Sequence, residues 1–275
     1  MDAECDGGLI SKTHPSFDEQ ANNFDTRTSL PAAVCRATVE AAIALAQADQ
    51  EDLAVEVCAG TGQIGEAFVR SGLRYVGCDI SKPMLEVFQR RLSPPAHDFL
   101  LVQSDAGQDW PVARETSRII FSARAIHLLS SEHIVQEVWR VAQHGGVFLI
   151  GRVERPIDSL KARLREHMRR RMRELGLAPR DAGEHLRRLL GALRGRGAGS
   201  IEPLTVATWI SGGRPIDVIN SWTAKSGLGG VDTPLSIKNK ILDDVKSWAE
   251  DKFGGLDRSF RWKECFTLHG VRILH

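Results

Sequence analysis

The sequence predicts an α/β fold: a seven-stranded, mostly parallel sheet with helices on both faces and a helical lid inserted late in the chain. Three observations predict it. Short apolar runs alternate with amphipathic segments over the first 150 residues, the pattern of strand–helix–strand units in a parallel sheet. The first run ends in a glycine-rich turn that opens a helix. Strand patterns then return after residue 200, so the sheet is completed from the C-terminal end.

The elements follow in order. Residues 1–14 are polar and loose, and Phe17 to Pro31 leads into an alanine-rich helix over about 31–48. Strands are expected near 53–58, 74–79, 99–103, 117–122 and 146–153, with helices between them. Beyond Pro156 the pattern changes. Leu160, Leu164, Met168, Met172 and Leu175 recur three and four apart among arginines, which reads as an amphipathic helix over 157–175. A second helix over about 182–193 follows the Gly176-Leu-Ala-Pro179 break, and the two are read as a basic hairpin spanning 157–200. The tail reads as a strand at 201–210, helices at 215–222 and 234–251, and a last strand at 260–274. The predicted organisation is therefore a core over 1–156, the hairpin lid over 157–200 and a sheet-completing segment over 201–275.

Composition narrows the class. With 42% hydrophobic residues in 275, the chain can bury one sizeable core without disulfides. Its five cysteines have no metal-ligand spacing, so no metal site is expected and the cysteines read as core residues of a reducing compartment. The N-terminus has no basic-then-apolar leader, and a soluble, cytoplasmic protein without membrane contact is expected. Net charge is only +1, yet residues 157–200 hold twelve Lys or Arg against five Asp or Glu.

The chemistry-bearing residues lie at the predicted strand ends. Glu56 precedes the turn Gly60-Thr-Gly62, and a carboxylate there would repel the pyrophosphate of a dinucleotide while suiting a cationic, phosphate-free nucleoside such as S-adenosylmethionine (SAM). Asp79 ends the second strand, seventeen residues past Gly62, where an acid can accept both ribose hydroxyls. Asp105 and Ala106 end the third strand, placed for an adenine.

These segments resemble the class I SAM-dependent methyltransferases. Gly60-Thr-Gly62 looks like that family's glycine motif, Val76 to Leu85 like its ribose-binding segment and Gln103 to Ala106 like its adenine-binding one. Val138 to Ile150 looks like the "R-V-L-K-P-G-G" helix and fifth strand of the small-molecule branch. One departure is Cys58, where the family usually has glycine. The resemblance implies a Rossmann-like sheet closed by a strand pair, one of them antiparallel. It implies SAM as cofactor, held by Glu56, Gly60 and Gly62 at the methionine end, Asp79 with Ile80 at the ribose, and Met84, Asp105 and Ala106 at the adenine, with Ser122 also facing it. Phe17, Asn22, Phe24 and Arg27 match a "YD-x-x-A-x-x-YD-x-x-R" entry segment, which would put Arg27 near the cofactor carboxylate.

After the fourth strand, Ile119 to Leu129 resembles the family segment that often ends in His-Leu, and His127 is the candidate base or substrate-orienting group. Trp209 and Trp222 are candidate substrate walls, with core packing the stronger reading for both. The expected activity is methyl transfer to an oxygen or nitrogen of a small organic molecule, of the kind found in secondary metabolism. The basic hairpin suits a homodimer surface or an anionic substrate. Two other classes stay open: an RNA methyltransferase using that hairpin, which near-zero overall charge weakens, and a non-methylating SAM-binding protein of the same fold.

Overall fold

The computed structural model describes residues 29–93, 98–223, 225 and 227–275, together with Asp18, Ala21, Phe24 and Asp25. Its elements are α1 (Ala32–Ala46), β1 (Leu53–Val57), α2 (Gly65–Arg70), β2 (Arg74–Asp79), α3 (Lys82–Arg91), β3 (Phe99–Gln103), β4 (Ser117–Ala123), α4 (Ser131–Val141) and β5 (Ala142–Glu154). After them come α5 (Leu160–Glu174), α6 (Ala182–Gly195), β6 (Gly199–Gly213), α7 (Pro215–Thr223), a short hairpin of β7 (Gly227–Leu228) and β8 (Val231–Asp232), α8 (Leu235–Phe253) and β9 (Phe260–Arg272).

The seven-stranded sheet runs β3-β2-β1-β4-β5-β9-β6. The first five strands are mutually parallel, and β9 lies antiparallel between β5 and β6. The expected α/β sheet, with its closing antiparallel strand, is what the chain forms.

Strand periodicity explains the two faces. On β4, Ile119 and Phe121 bury with α1, α2 and α3, while Ile120 points the other way; Val147 and Leu149 of β5 alternate with Phe148 and Ile150 in the same sense. The second face is covered by α4 and α6. Polar side chains start several helices. Ser81, Ser130, Ser159 and Asp181 each accept a backbone N–H in the first turn of the helix that follows, which satisfies donors the helix cannot pair internally.

α5 and α6 do not pack together as the expected hairpin. Leu160, Leu164, Met168 and Met172 of α5 bury with Ile219, Trp222, Ile241, Val245 and Trp262 in a third core built with α7 and α8. Leu186, Leu189 and Leu193 of α6 instead pack beneath the sheet with Val138, Val141 and Ile273. Both helices are amphipathic, but their apolar stripes serve different partners. α5 thus forms a helical layer with α7 and α8, beyond the strand ends of β5 at Glu154 and β6 at Gly213. Trp222 is 8% exposed within that third core, and Trp209 packs against the first core with its indole N–H donating to Ser211 Oγ at 3.2 Å. Both tryptophans are packing residues. Among the described residues, no helix is long and apolar enough to cross a membrane.

Candidate functional site

Strand order reverses between β1 and β4: the chain proceeds from β1 towards β3 on one side and from β4 towards β5 on the other. In an open parallel sheet the crevice beyond the carboxyl ends of these two strands is where ligands bind. Both tips are conformationally special. Cys58 follows β1 at φ 60° and Arg124 follows β4 at φ 67°, left-handed values that cost a side-chain-bearing residue about 1–2 kcal/mol. Cys58 therefore adopts the conformation glycine takes freely, and the β1 tip does tolerate a side chain there.

The glycine turn fits a ligand at one position and the protein's own core at another. Gly60, at φ 56°, has no atom within 4 Å of where a Cβ would stand. A Cβ on Gly62 would lie 2.0 Å from the Phe88 ring. Gly60 thus borders open space, and Gly62 lets α3 pack beneath the turn.

Asp79 ties the β2 tip to that open position. Its Oδ2 accepts the Gly60 N–H at 2.8 Å and its Oδ1 accepts the Ser81 N–H at 2.9 Å. Burial raises its carboxyl above the usual range, opposed by those two backbone donors. A half-buried carboxylate can accept both hydroxyls of a vicinal diol, so Asp79 fits the ribose end of SAM, with the uncovered Gly60 next to it. The Cys58 thiol is pushed well above its ordinary value, by burial first and then by the negative fields of Asp79, Asp105 and Glu56 among its neighbours.

Glu56 is not the open negative tip expected of it. It is 3% exposed, its Oε2 accepts the Tyr75 hydroxyl at 2.6 Å, and it lies under the turn on the Phe68–Tyr75–Phe88 side of the sheet. Burial pushes its carboxyl up to about 8, partly opposed by the Tyr75 hydrogen bond and the Arg124 charge. Near neutral pH it holds a proton more often than a charge. Ser122 is corrected as well: it is fully buried, and its hydroxyl donates to the Val57 carbonyl at 2.8 Å, which joins β4 to β1 inside the sheet.

Asp105 lies at the β3 tip with Oδ1 accepting the Gly107 N–H at 2.8 Å, and Ala106 is buried with its carbonyl accepting the Trp110 indole N–H at 3.1 Å. Ile80 is half-buried beside Asp79, and Met84 is buried in the first turn of α3. His127 lies in a single 3₁₀ turn after β4, half-buried, its imidazole held below the ordinary value by burial and then by the neighbouring His185, Arg180 and Arg152. Arg27, Phe17 and Asn22 lie outside the described residues.

A polar network that sequence reading passed over flanks the turn. Asp25 accepts from the Thr61 hydroxyl at 2.6 Å, from the Gln63 amide and from the Arg91 guanidinium. Burial opposes its ionisation, but these donors outweigh it and hold the carboxyl below its ordinary range. The Gln63 Oε1 accepts the Leu30 N–H at 3.1 Å and an Arg124 N–H at 3.4 Å, and the Arg124 guanidinium lies 5.6 Å over the Phe24 ring. Asp25 thus makes polar contact with the turn, and Leu30 joins it through Gln63. A groove of about 760 Å³ runs along α1 and α2 past Cys35, Val39 and Arg91. It borders Gln63 but does not include Gly60 or Asp79, so it is not the strand-tip site.

Residues 54–146 match the family of methyltransferase domains. A demethylmenaquinone methyltransferase of Thermobifida fusca (strain YX) is 30% identical over 114 residues, covering 40% of this chain and 48% of that protein, so the match spans about half of the curated relative. Among solved structures, a Bacillus halodurans protein proposed to be a methyltransferase superposes with a TM-score of 0.56 at 18% identity, covering 86% of this chain and 99% of that one. The YcgJ protein of Bacillus subtilis gives 0.54 at 20% identity, with 86% and 99% coverage. At these identities the two structures establish the fold.

Proposed function

We propose, from the premise that this chain carries a class I SAM-dependent methyltransferase domain, that it transfers a methyl group from SAM to an oxygen or nitrogen of a small organic acceptor. The observation that carries the reading is the pairing of Asp79 with the Gly60 N–H beside open space, at the crevice where strand order reverses.

SAM supplies a methyl group on a sulfonium, which an aligned nucleophile takes by in-line displacement. The protein's part is to hold the nucleoside and manage the acceptor's proton. Asp79 accepts the ribose hydroxyls; Asp105 and Ala106 border the adenine; Gly60 gives the backbone room at the methionine end. His127 is held neutral by burial, so its imidazole is free to accept a proton from a hydroxyl or amine. That supports oxygen or nitrogen as the target. In this reading α5, α7 and α8, which pack together beyond the ends of β5 and β6, serve as the lid on the acceptor side.

Calorimetric titration with S-adenosylhomocysteine tests the reading. Micromolar binding is expected, weakened at least about ten-fold in Asp79→Ala because charge-assisted hydrogen bonds are lost. Equal affinity in that variant, or a preference for NAD, would remove the basis of the assignment.

A further inference from the structure

A cleft of about 480 Å³ opens between the end of β5 and α5, and six of the residues lining it are cations: Arg152, Arg155, Lys161, Arg165, Arg169 and Arg173. The four on α5 recur at every fourth position, directly beside the apolar stripe Leu160, Leu164, Met168 and Met172 that seats the helix on α7 and α8. One helix therefore turns its apolar stripe to the third core and a cationic stripe to the cleft.

Two acids, Glu154 and Glu166, also line the cleft, and Glu264 lies beside it. Glu264 pairs with Arg155 at 2.5 Å and also accepts from the Trp262 indole and the Ser211 hydroxyl. Glu154 accepts from Thr267 and binds the His269 ring. Glu166 is exposed at the rim. Among the described residues, no ion pair ties Arg152, Lys161, Arg165, Arg169 or Arg173. Arg165 is exposed at the cleft, and its guanidinium is held below its ordinary value by desolvation and then by the like charges of Arg155, Arg169 and Arg152. Clustered like charges of this kind repel until an anion enters.

We propose that the acceptor carries a multiply charged phosphate-type anion, held in this cleft by Arg152, Lys161, Arg165, Arg169 and Arg173. Guanidinium forks match phosphate oxygens in pairs. The concavity has the volume of a small-molecule site, whereas a nucleic acid is met by an extended basic face. The cleft also adjoins the chemistry. Arg152 follows Gly151, which pairs with Ala123 at the β4 tip, and its charge is felt at His127. An anion at Arg152 and Arg165 leaves the rest of the acceptor directed to the strand-tip crevice.

The inference rests on the methyltransferase reading, and the test separates them. The whole chain is titrated at low salt with inorganic pyrophosphate and, separately, with S-adenosylhomocysteine. The double variant Arg165→Gln, Arg169→Gln is treated identically, its nucleoside affinity serving as the folding control. Pyrophosphate should bind the wild type and bind the double variant about ten-fold more weakly or worse, with nucleoside affinity unchanged. Pyrophosphate that fails to bind, or binds both proteins equally while the nucleoside still binds, overturns the anion site and leaves the methyltransferase reading standing. A wild type that ignores the nucleoside sinks that reading, and with it the claim that the anion belongs to an acceptor. A short single-stranded RNA that binds through the same arginines more tightly than pyrophosphate would overturn the small-acceptor proposal.

Discussion

The Tyr75 hydroxyl donates to Glu56 Oε2 at 2.6 Å beneath the glycine turn, joining the neighbouring strands β2 and β1 on the face covered by α2 and α3. Tyr75 stays a donor because burial, and then the Glu56 charge, push its own ionisation well above the ordinary value. Glu56 titrates at about 8 in the fold against an ordinary 4.5. Between those limits the folded chain holds a proton that the unfolded chain has released. Stability from this group is therefore complete below about 4.5, falls as pH rises to about 8 and is level above that. Each unit of that interval corresponds to about 1.4 kcal/mol. Urea denaturation of the wild type and Glu56→Gln at pH 5 and pH 8.5 should show the variant losing less stability with rising pH. Parallel profiles would mean that Glu56 is ionised in the fold.

Ser122 gives a sharper separation of structure from binding. Its hydroxyl is used inside the sheet on the Val57 carbonyl, so Ser122→Ala should lower stability by about 1 kcal/mol while S-adenosylhomocysteine affinity stays unchanged. A several-fold loss of affinity at unchanged stability would return Ser122 to the cofactor site.

The strands were readable because each is a short apolar run with a polar or glycine terminus, and Asp79 and Asp105 were readable as strand-tip residues because they follow such runs, whereas the order β3-β2-β1-β4-β5-β9-β6 is set by tertiary packing. The burial of Glu56 was also readable in principle. Val55 and Val57 face one side of the sheet, so period two sends Glu56 to the other, beneath a helix. Its partner, nineteen positions away on the neighbouring strand, was not readable, since parallel register is set by tertiary packing. The separation of α5 from α6 escaped for a similar reason. An apolar stripe records that a helix face is buried but not against what, and the partners of Leu164 include Ile219 and Ile241, more than fifty residues downstream.

His127 carries the pH dependence of turnover in this reading. Burial, followed by the charges of His185, Arg180 and Arg152, holds its imidazole below the ordinary 6.5, so it is neutral at pH 7. The acid limb of kcat/KM should then lie below pH 6.5. Arg180→Ala, which removes one repelling cation, should move that limb upward. His127→Asn should lower kcat by about a hundred-fold or more without altering nucleoside affinity. A limb that stays in place when Arg180 is removed would exclude His127 as its source.

The two glycines of the turn should fail in different ways when given the same methyl group. In Gly62→Ala the Cβ would stand 2.0 Å from the Phe88 ring, which is fully buried, and the backbone is at φ 74°. Relief requires moving a packed aromatic, so a loss of at least about 3 kcal/mol in stability is expected. In Gly60→Ala the Cβ meets nothing within 4 Å, and only the left-handed backbone at φ 56° opposes it, at about 1 kcal/mol. That variant should remain folded, yet its methyl occupies the open space beside Asp79 and should weaken S-adenosylhomocysteine binding by about ten-fold or more. Urea denaturation paired with calorimetry on both variants reads the two effects separately. If Gly60→Ala binds the nucleoside as well as the wild type, the space beside Asp79 is not where the cofactor lies.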